Sequence, residues 1–258
     1  MRLRLVLLLV VLPHILFALQ NSNNQYQIFE QNNKQGLRLQ SGKIVIPAKY
    51  DKLGWSNTET APVGELIGYM QNNQWGLISV SNEKITLPEY AFVNALENKT
   101  ILAAKAGRFS QSYFYGAFNT KGEVIIPFRY ASISSYSNNY IVSESKGGSI
   151  SYGLVDMNHT IILPLVYENI SIVSNQLLGL YVGDGQMQLY NNAKSTVVVD
   201  SITSVENWRE DYYKVHRGLE AGLINNEGGM VTSIDYKDFD IENGILNFNL
   251  KPSATKGV

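Results

Sequence analysis

The sequence contains no cysteine among its 258 residues. That excludes a disulfide scaffold, an iron–sulfur centre, a Cys-bound zinc, a thiol nucleophile and a lipidated N-terminal cysteine. Histidine is nearly as scarce, at three. His14 lies in the N-terminal apolar segment, and His159 and His216 are far apart and outside any H-E-x-x-H pattern. They read as surface histidines, not as a metal motif. No G-x-S-x-G elbow and no G-x-x-x-x-G-K-[ST] loop is present, so neither a serine hydrolase nor a P-loop is supported. No window places apolar residues at i, i+3, i+4 and i+7 without interruption by Gly or turn residues, so no ordinary helix is predicted. Charge of one sign is missing too, since the formal net charge is −1. Nothing there attracts nucleic acid or an anionic membrane, and no cofactor is called for.

The one long apolar run stands at the N-terminus. Arg2 and Arg4 form a basic start, Leu5 to Leu12 is apolar, Pro13 breaks it, and a cut after Ala18 is plausible. The run is short against the roughly 20 residues that span a bilayer. It predicts a signal peptide over residues 1–18, with an uncleaved anchor as the alternative. The mature chain would then be secreted or periplasmic, without a membrane span. Residues 19–25 are polar and Asn-rich and read as a flexible lead-in; residues 251–258 read as a flexible tail. No linker rich in Pro, Gly or Ser divides residues 26–250, which are read as one β domain.

What the chain does contain is a repeated unit, clearest in Tyr115-Gly116 to Tyr130. An aromatic–Gly pair opens it, and the Gly allows close backbone approach beside a ring. Lys121-Gly122 supplies the dihedrals of a hairpin turn. Glu123 to Ile126 is β-branched and reads as a buried strand, which Pro127 is expected to stop. Other copies carry Gly36, Pro47 and Tyr50; Trp75, Gly76, Pro88 and Tyr90; and Tyr152, Gly153, Pro164 and Tyr167. A late copy keeps Gly222 and Tyr236 with Ser233 at the Pro position. A worn copy has Gln188, Val199 and Ile202 where Gly, Pro and Tyr are expected. The Gly positions are spaced 40, 40 and 37 residues apart, and then 69, which is two units.

These residues resemble the bacterial WG repeat, also called the KWG repeat. Trp75-Gly76-Leu77-Ile78 carries the name-giving pair, Gly122 to Pro127 the middle, and Pro47-Ala48-Lys49-Tyr50-Asp51 the end. The resemblance runs from about Tyr26 to Leu250, with Tyr or Gln replacing Trp in most copies. It implies a β-repeat fold; the family has no common catalytic residues to carry over.

A further strand precedes each unit, such as Leu66 to Met70 and Tyr140 to Val142, giving about four short strands per period. It occurs seven times around six hairpin cores. An open array needs both end copies as caps, whereas a ring leaves one spare. The expected fold is therefore all-β, about six tandem repeats of short antiparallel strands in an open twisted array, with a closed six-bladed β-propeller as the alternative.

The expected function is a non-catalytic, exported binding or scaffold protein for a protein, peptide or glycan. Trp55 and Trp208 fall outside the repeat frame and are the candidate exposed binding rings. Gly183-Asp184-Gly185 reads as a hairpin turn in preference to a calcium ligand. The alternative function is a propeller-type hydrolase using acids of the Glu206–Asp211 and Asp235–Asp240 clusters.

Overall fold

The computed structural model describes residues 25–96, 98–107, 112–209, 211–242 and 245–249. The expected leader (1–18), nearly all of the lead-in and the tail lie outside them. The described chain is all strand and turn, arranged as seven small antiparallel sheets, each a simple meander. The first holds β1 (Tyr26–Gln31), β2 (Lys34–Leu39) and β3 (Ile44–Tyr50). The second holds β4 (Lys52–Leu53), β5 (Leu66–Gln71) and β6 (Gln74–Ser79). The third holds β7 (Phe92–Ala95), β8 (Ile101–Ala106), β9 (Tyr113–Phe118) and β10 (Val124–Tyr130).

The fourth sheet holds β11 (Ser132–Tyr136), β12 (Asn139–Lys146), β13 (Ser149–Asp156) and β14 (Ile161–Tyr167). The fifth holds β15 (Asn169–Ile172), β16 (Leu177–Gly183), β17 (Gln186–Asn191) and β18 (Thr196–Ile202). The sixth holds β19 (Ser204–Arg209), β20 (Tyr212–Arg217) and β21 (Glu220–Asn225). The seventh is the pair β22 (Asp238–Glu242) and β23 (Ile245–Asn249).

The repeat is sharper in three dimensions than in sequence. In every unit the residue before the glycine position pairs with the residue fifteen further on. The pairs are Gln35–Tyr50, Trp75–Tyr90, Tyr115–Tyr130, Tyr152–Tyr167, Met187–Ile202 and Ala221–Tyr236. The next sheet starts two residues later each time. The residue between (Asp51, Ala91, Ala131, Glu168, Thr203) donates its N–H to a carbonyl of the second strand ahead, at 2.7–3.0 Å. The worn copy keeps this backbone, so its lost Gly, Pro and Tyr were never the whole specification.

Proline does not end its strand as expected. Pro47, Pro127 and Pro164 sit inside β3, β10 and β14, where the ladder register shifts and then resumes at the tyrosine. A missing N–H is tolerated at such a bulge. Nor is the whole VIIP run buried. Ile44, Val124 and Ile161 are more than half exposed, and only the third apolar residue (Ile46, Ile126, Leu163) is inside.

A second turn repeats after the third strand of the third, fourth and sixth sheets. Asn119, Asp156 and Asn225 each accept, through Oδ1, the backbone N–H groups two and four residues ahead. Gly122, His159 and Gly228 take the left-handed position, with φ of 83°, 63° and 81°. The short polar side chain thus stands in for a backbone acceptor. Gly183-Asp184-Gly185 is the hairpin turn between β16 and β17, as expected.

The core lies between sheets. One apolar cluster joins the first sheet to the second through Leu37, Ile46, Tyr50, Ile67 and Tyr69. The next four join second to third, third to fourth, fourth to fifth and fifth to sixth. Second strands serve both sides. In β8, Ile101 and Ala103 face the second sheet while Leu102 faces the fourth. No sheet of the described residues closes on itself, as in the open array expected.

Each glycine of the aromatic–Gly pair is capped, but from two directions. A Cβ on Gly36 or Gly76 would meet the ring of Phe29 or Tyr69, the cross-strand partner, at 2.6 or 2.7 Å. Where that partner is small (Ala103, Val142, Val215), the cap is the residue after the proline position: Phe128, Leu165 or Ile234. Gly116→Ala is therefore expected to cost about 1–3 kcal/mol by overpacking. Adding Phe128→Ala should recover part of the loss in a double-mutant cycle read by urea unfolding. Strict additivity would show that the ring is not what the glycine accommodates.

Backbone N–H donors, first from Thr160 and then from Asn158, hold the Asp156 carboxyl below its ordinary 3.8. A depressed folded pKa contributes stability that is complete above the unfolded value and lost as pH falls through the folded one. Asp156→Asn should melt near the parent at pH 7, because asparagine fills this turn position in two other copies. The variant should also lose less stability than the parent on acidification below about pH 4. A neutral-pH melting temperature as low as that of Asp156→Ala would refute the turn role.

Candidate binding site

The repeat aromatics are structural. Tyr50, Trp75, Tyr90 and Tyr130 are buried, and Tyr115, Tyr152, Tyr167 and Tyr236 are half-buried against the inter-sheet cores. Cations cover the outer faces of three rings: Lys49 over Tyr50, Lys105 over Tyr90 and Arg129 over Tyr130, each within 5.3 Å of the centroid. Two of these cations are ion-paired as well, Lys105 with Glu89 and Arg129 with Glu144. Burial and the adjacent Glu89 push the Tyr90 hydroxyl far above its usual pKa.

Trp55 is not an exposed ring. It is 3% exposed, belongs to the core between the second and third sheets, and donates Nε1–H to the Ala61 carbonyl at 2.8 Å. Trp208 is half-buried against Ala221, Leu223 and Tyr236, with the Arg209 guanidinium 5.2 Å from its ring centroid. Trp55 turns toward the sheet that follows its own, which accounts for its place outside the repeat frame.

His159 also departs from its expected role. It is a half-buried turn residue whose Nε2 lies 2.5 Å from the Tyr130 hydroxyl, and burial lowers its pKa. His216 lies 3.4 Å from Glu206 on an exposed strand, and Asp211 accepts from Asn226 at 3.1 Å. Asp235 is exposed. Glu210 and the side chains of Asp238 and Asp240 lie outside the described residues.

Two cavities are lined by described residues. One, of about 430 Å³, lies where the second sheet meets the turn of the third, between Glu65, Ser79, Ser81, Glu83, Thr120 and Lys121. Its serine hydroxyls are already engaged. Ser79 Oγ accepts the Glu83 N–H and bonds to Ser81 Oγ.

The other cavity, of about 630 Å³, lies at the sixth sheet and is lined by Arg217, Leu219, Glu220 and Lys237. The β20–β21 hairpin builds it, turning at Gly218-Leu219 with Gly218 at φ 62°. A left-handed first turn residue suits glycine, and it carries Leu219 outward. Leu219 is 90% exposed. Arg217 is fixed by donating to the carbonyls of Ser201 and Asp200, at 3.0 and 3.2 Å. Lys237 follows Tyr236, which bridges to Ala221 and so brings this stretch of backbone beside β21. An apolar tip between two cations and one carboxylate can seat an apolar side chain and pair with acidic groups beside it. None of these four residues stood out in the sequence, though a leucine in a two-residue turn, where polar residues are usual, was a legible signal.

The chain matches the family described as WG containing repeat over residues 40–62, 115–142 and 152–179. Each match starts late in one sheet and ends in the next. None of the curated proteins matches. Among solved structures, BamB from Moraxella catarrhalis is 11% identical, with 87% of this chain and 76% of that chain covered and a TM-score of 0.34. The WD40 beta propeller domain of Doa1 is 10% identical, with 88% and 86% covered and a TM-score of 0.28. Scores this low transfer no function. By the residues that match and the geometry they share, these three stretches of the chain are WG containing repeats.

Proposed function

We propose that this is an exported, non-catalytic repeat protein whose array serves as a binding surface for a protein or peptide, with the principal site at the sixth-sheet hairpin. The observation that carries the reading is Leu219, a large apolar side chain held in water at a tight turn, beside a cavity flanked by Arg217 and Lys237. An isolated exposed leucine needs no explanation. One set at a turn tip beside a cavity and two cations is the anchor of the site.

A peptide fits better than a glycan. Sugar recognition would use open ring faces, and the repeat rings are inside the cores or covered by cations. The charges favour a ligand with an apolar side chain flanked by Asp or Glu. Export rests on the basic start and short apolar run of residues 1–18, and places the partner outside the cytoplasm.

A displayed library of apolar–acidic peptides tests the site. Enriched peptides should lose at least about tenfold in affinity against Leu219→Ser and against Lys237→Glu. Melting temperatures should stay near the parent, because surface changes of this kind stay within about 0.5 kcal/mol. No enrichment, or binding indifferent to both changes, would refute the assignment.

A further inference from the structure

We infer that Val166 and Val182 form a second contact for a peptide held at Leu219, one that presupposes the Leu219 site. The ligand is an extended peptide with two apolar side chains, a cation beside the first and an acid beside the second. Each crossover residue donates its N–H to a carbonyl of the second strand ahead, at Met70, Ala104, Ser143, Tyr181 and His216 in turn. The residue two before the crossover and the residue after that acceptor share one outer position, a rung between successive sheets. The rungs are Lys49 with Gln71, Glu89 with Lys105, Arg129 with Glu144, Val166 with Val182, and Ser201 with Arg217. The second and third are ion pairs at 2.9 and 2.8 Å. In the fifth, Arg217 Nε donates to the Ser201 carbonyl at 3.0 Å.

Four of these five rungs carry a charged side chain, and the fourth is apolar on both sides. Its valines are 67% and 47% exposed. One exposed valine needs no explanation. Two at the place where every neighbouring interface holds a charge make an apolar rung in a polar ladder. The next rung contains Arg217, a wall of the Leu219 cavity, so the two contacts lie along one outer edge. Stacked sheets lie about 10 Å apart and an extended chain advances about 3.3 Å per residue. The valine rung is therefore about three ligand residues from Arg217.

The two contacts differ in the charge around them. Beside the valines stand two exposed acids: Glu168, the crossover residue, and Asp184, in the hairpin turn two residues after Val182. Beside Leu219 stand Arg217 and Lys237. Asp200, the acid next to the fifth rung, is engaged with Gln188 Nε2 and the Ser201 N–H, at 3.2 and 2.6 Å. A peptide with Lys or Arg beside its first apolar residue and Asp or Glu beside its second meets an opposite charge at both contacts. The reversed order meets a like charge at both, so the edge selects one charge order.

A displayed library of twelve-residue peptides, selected on the parent, supplies the probes. Enriched sequences should carry two apolar residues about three to five positions apart, in that charge order. Val166→Arg with Val182→Glu writes the third rung into the fourth and should fold like the parent. It should weaken the enriched peptides at least about tenfold. Peptides cut back to their apolar–acidic half should bind parent and variant alike. On the parent itself, a diazirine analogue of leucine at the first apolar position should label residues 166–168 or 182–184 on irradiation. Peptides that lose affinity against Leu219→Ser, yet bind the rung variant unchanged or label elsewhere, overturn the second contact and leave the Leu219 site standing. Peptides indifferent to Leu219→Ser, or no enrichment at all, overturn that site and this contact with it.

Discussion

Apolar contact between successive sheets is the constraint on which the molecule depends. A sheet of three or four strands of two to eight residues cannot bury both of its faces alone. Here each interior sheet spends one face on the sheet before and the other on the sheet after. That is why Ile101 and Leu102, adjacent in sequence, belong to different cores. It is also why the second strands read as unbroken apolar runs, since alternation appears only where one face meets water. At about 1.5–3 kcal/mol for each fully buried aliphatic side chain, any one interface contributes heavily. No sheet is complete without its neighbour.

The family's repeat and the sheet are therefore out of phase. A matched segment such as residues 115–142 takes in the third and fourth strands of one sheet and the first and part of the second strand of the next. What recurs in sequence is an interface together with the crossover through it. The tyrosine position closes one sheet, the following residue donates its N–H into the next, and two residues later a new sheet has begun. Seen this way, the worn fifth copy is intelligible. Met187 and Ile202 keep the pairing with ordinary apolar side chains, and the crossover residue Thr203 still donates its N–H to His216. Backbone geometry tolerated the loss of three signature residues because the contact asks only for bulk.

The fold was legible because backbone requirements leave local marks. Glycine beside a ring, Gly or Asn at a left-handed turn, and a short β-branched run each point to one conformation. The glycine caps were half visible. Phe29 and Tyr69 could be seen to stand across from glycines once the strands were paired, but the handover to Phe128, Leu165 and Ile234 needed the register. Proline misled, because sequence reports a missing donor but not whether a bulge excuses it. The tryptophans misled for a related reason. Leaving the repeat frame looked like exposure, whereas Trp55 leaves it to reach the next sheet. The cavity at Leu219 was not read at all, because it joins residues 217–220 with Lys237 through a pairing of Ala221 with Tyr236 that no local pattern announces.

An array built this way has little free surface of the kind that usually binds ligands. Both faces of the interior sheets are consumed by neighbours, and the rings that might have stacked on a sugar hold those faces together. What remains is the set of positions outside the inter-sheet contact: hairpin tips and the outer rungs between sheets. Changes at such places disturb no core, so chemistry can accumulate there without unfolding the array. Leu219 stands at a tip, and Val166 and Val182 stand at a rung. The economy that makes the interior repetitive therefore also confines whatever distinguishes this protein to its margins.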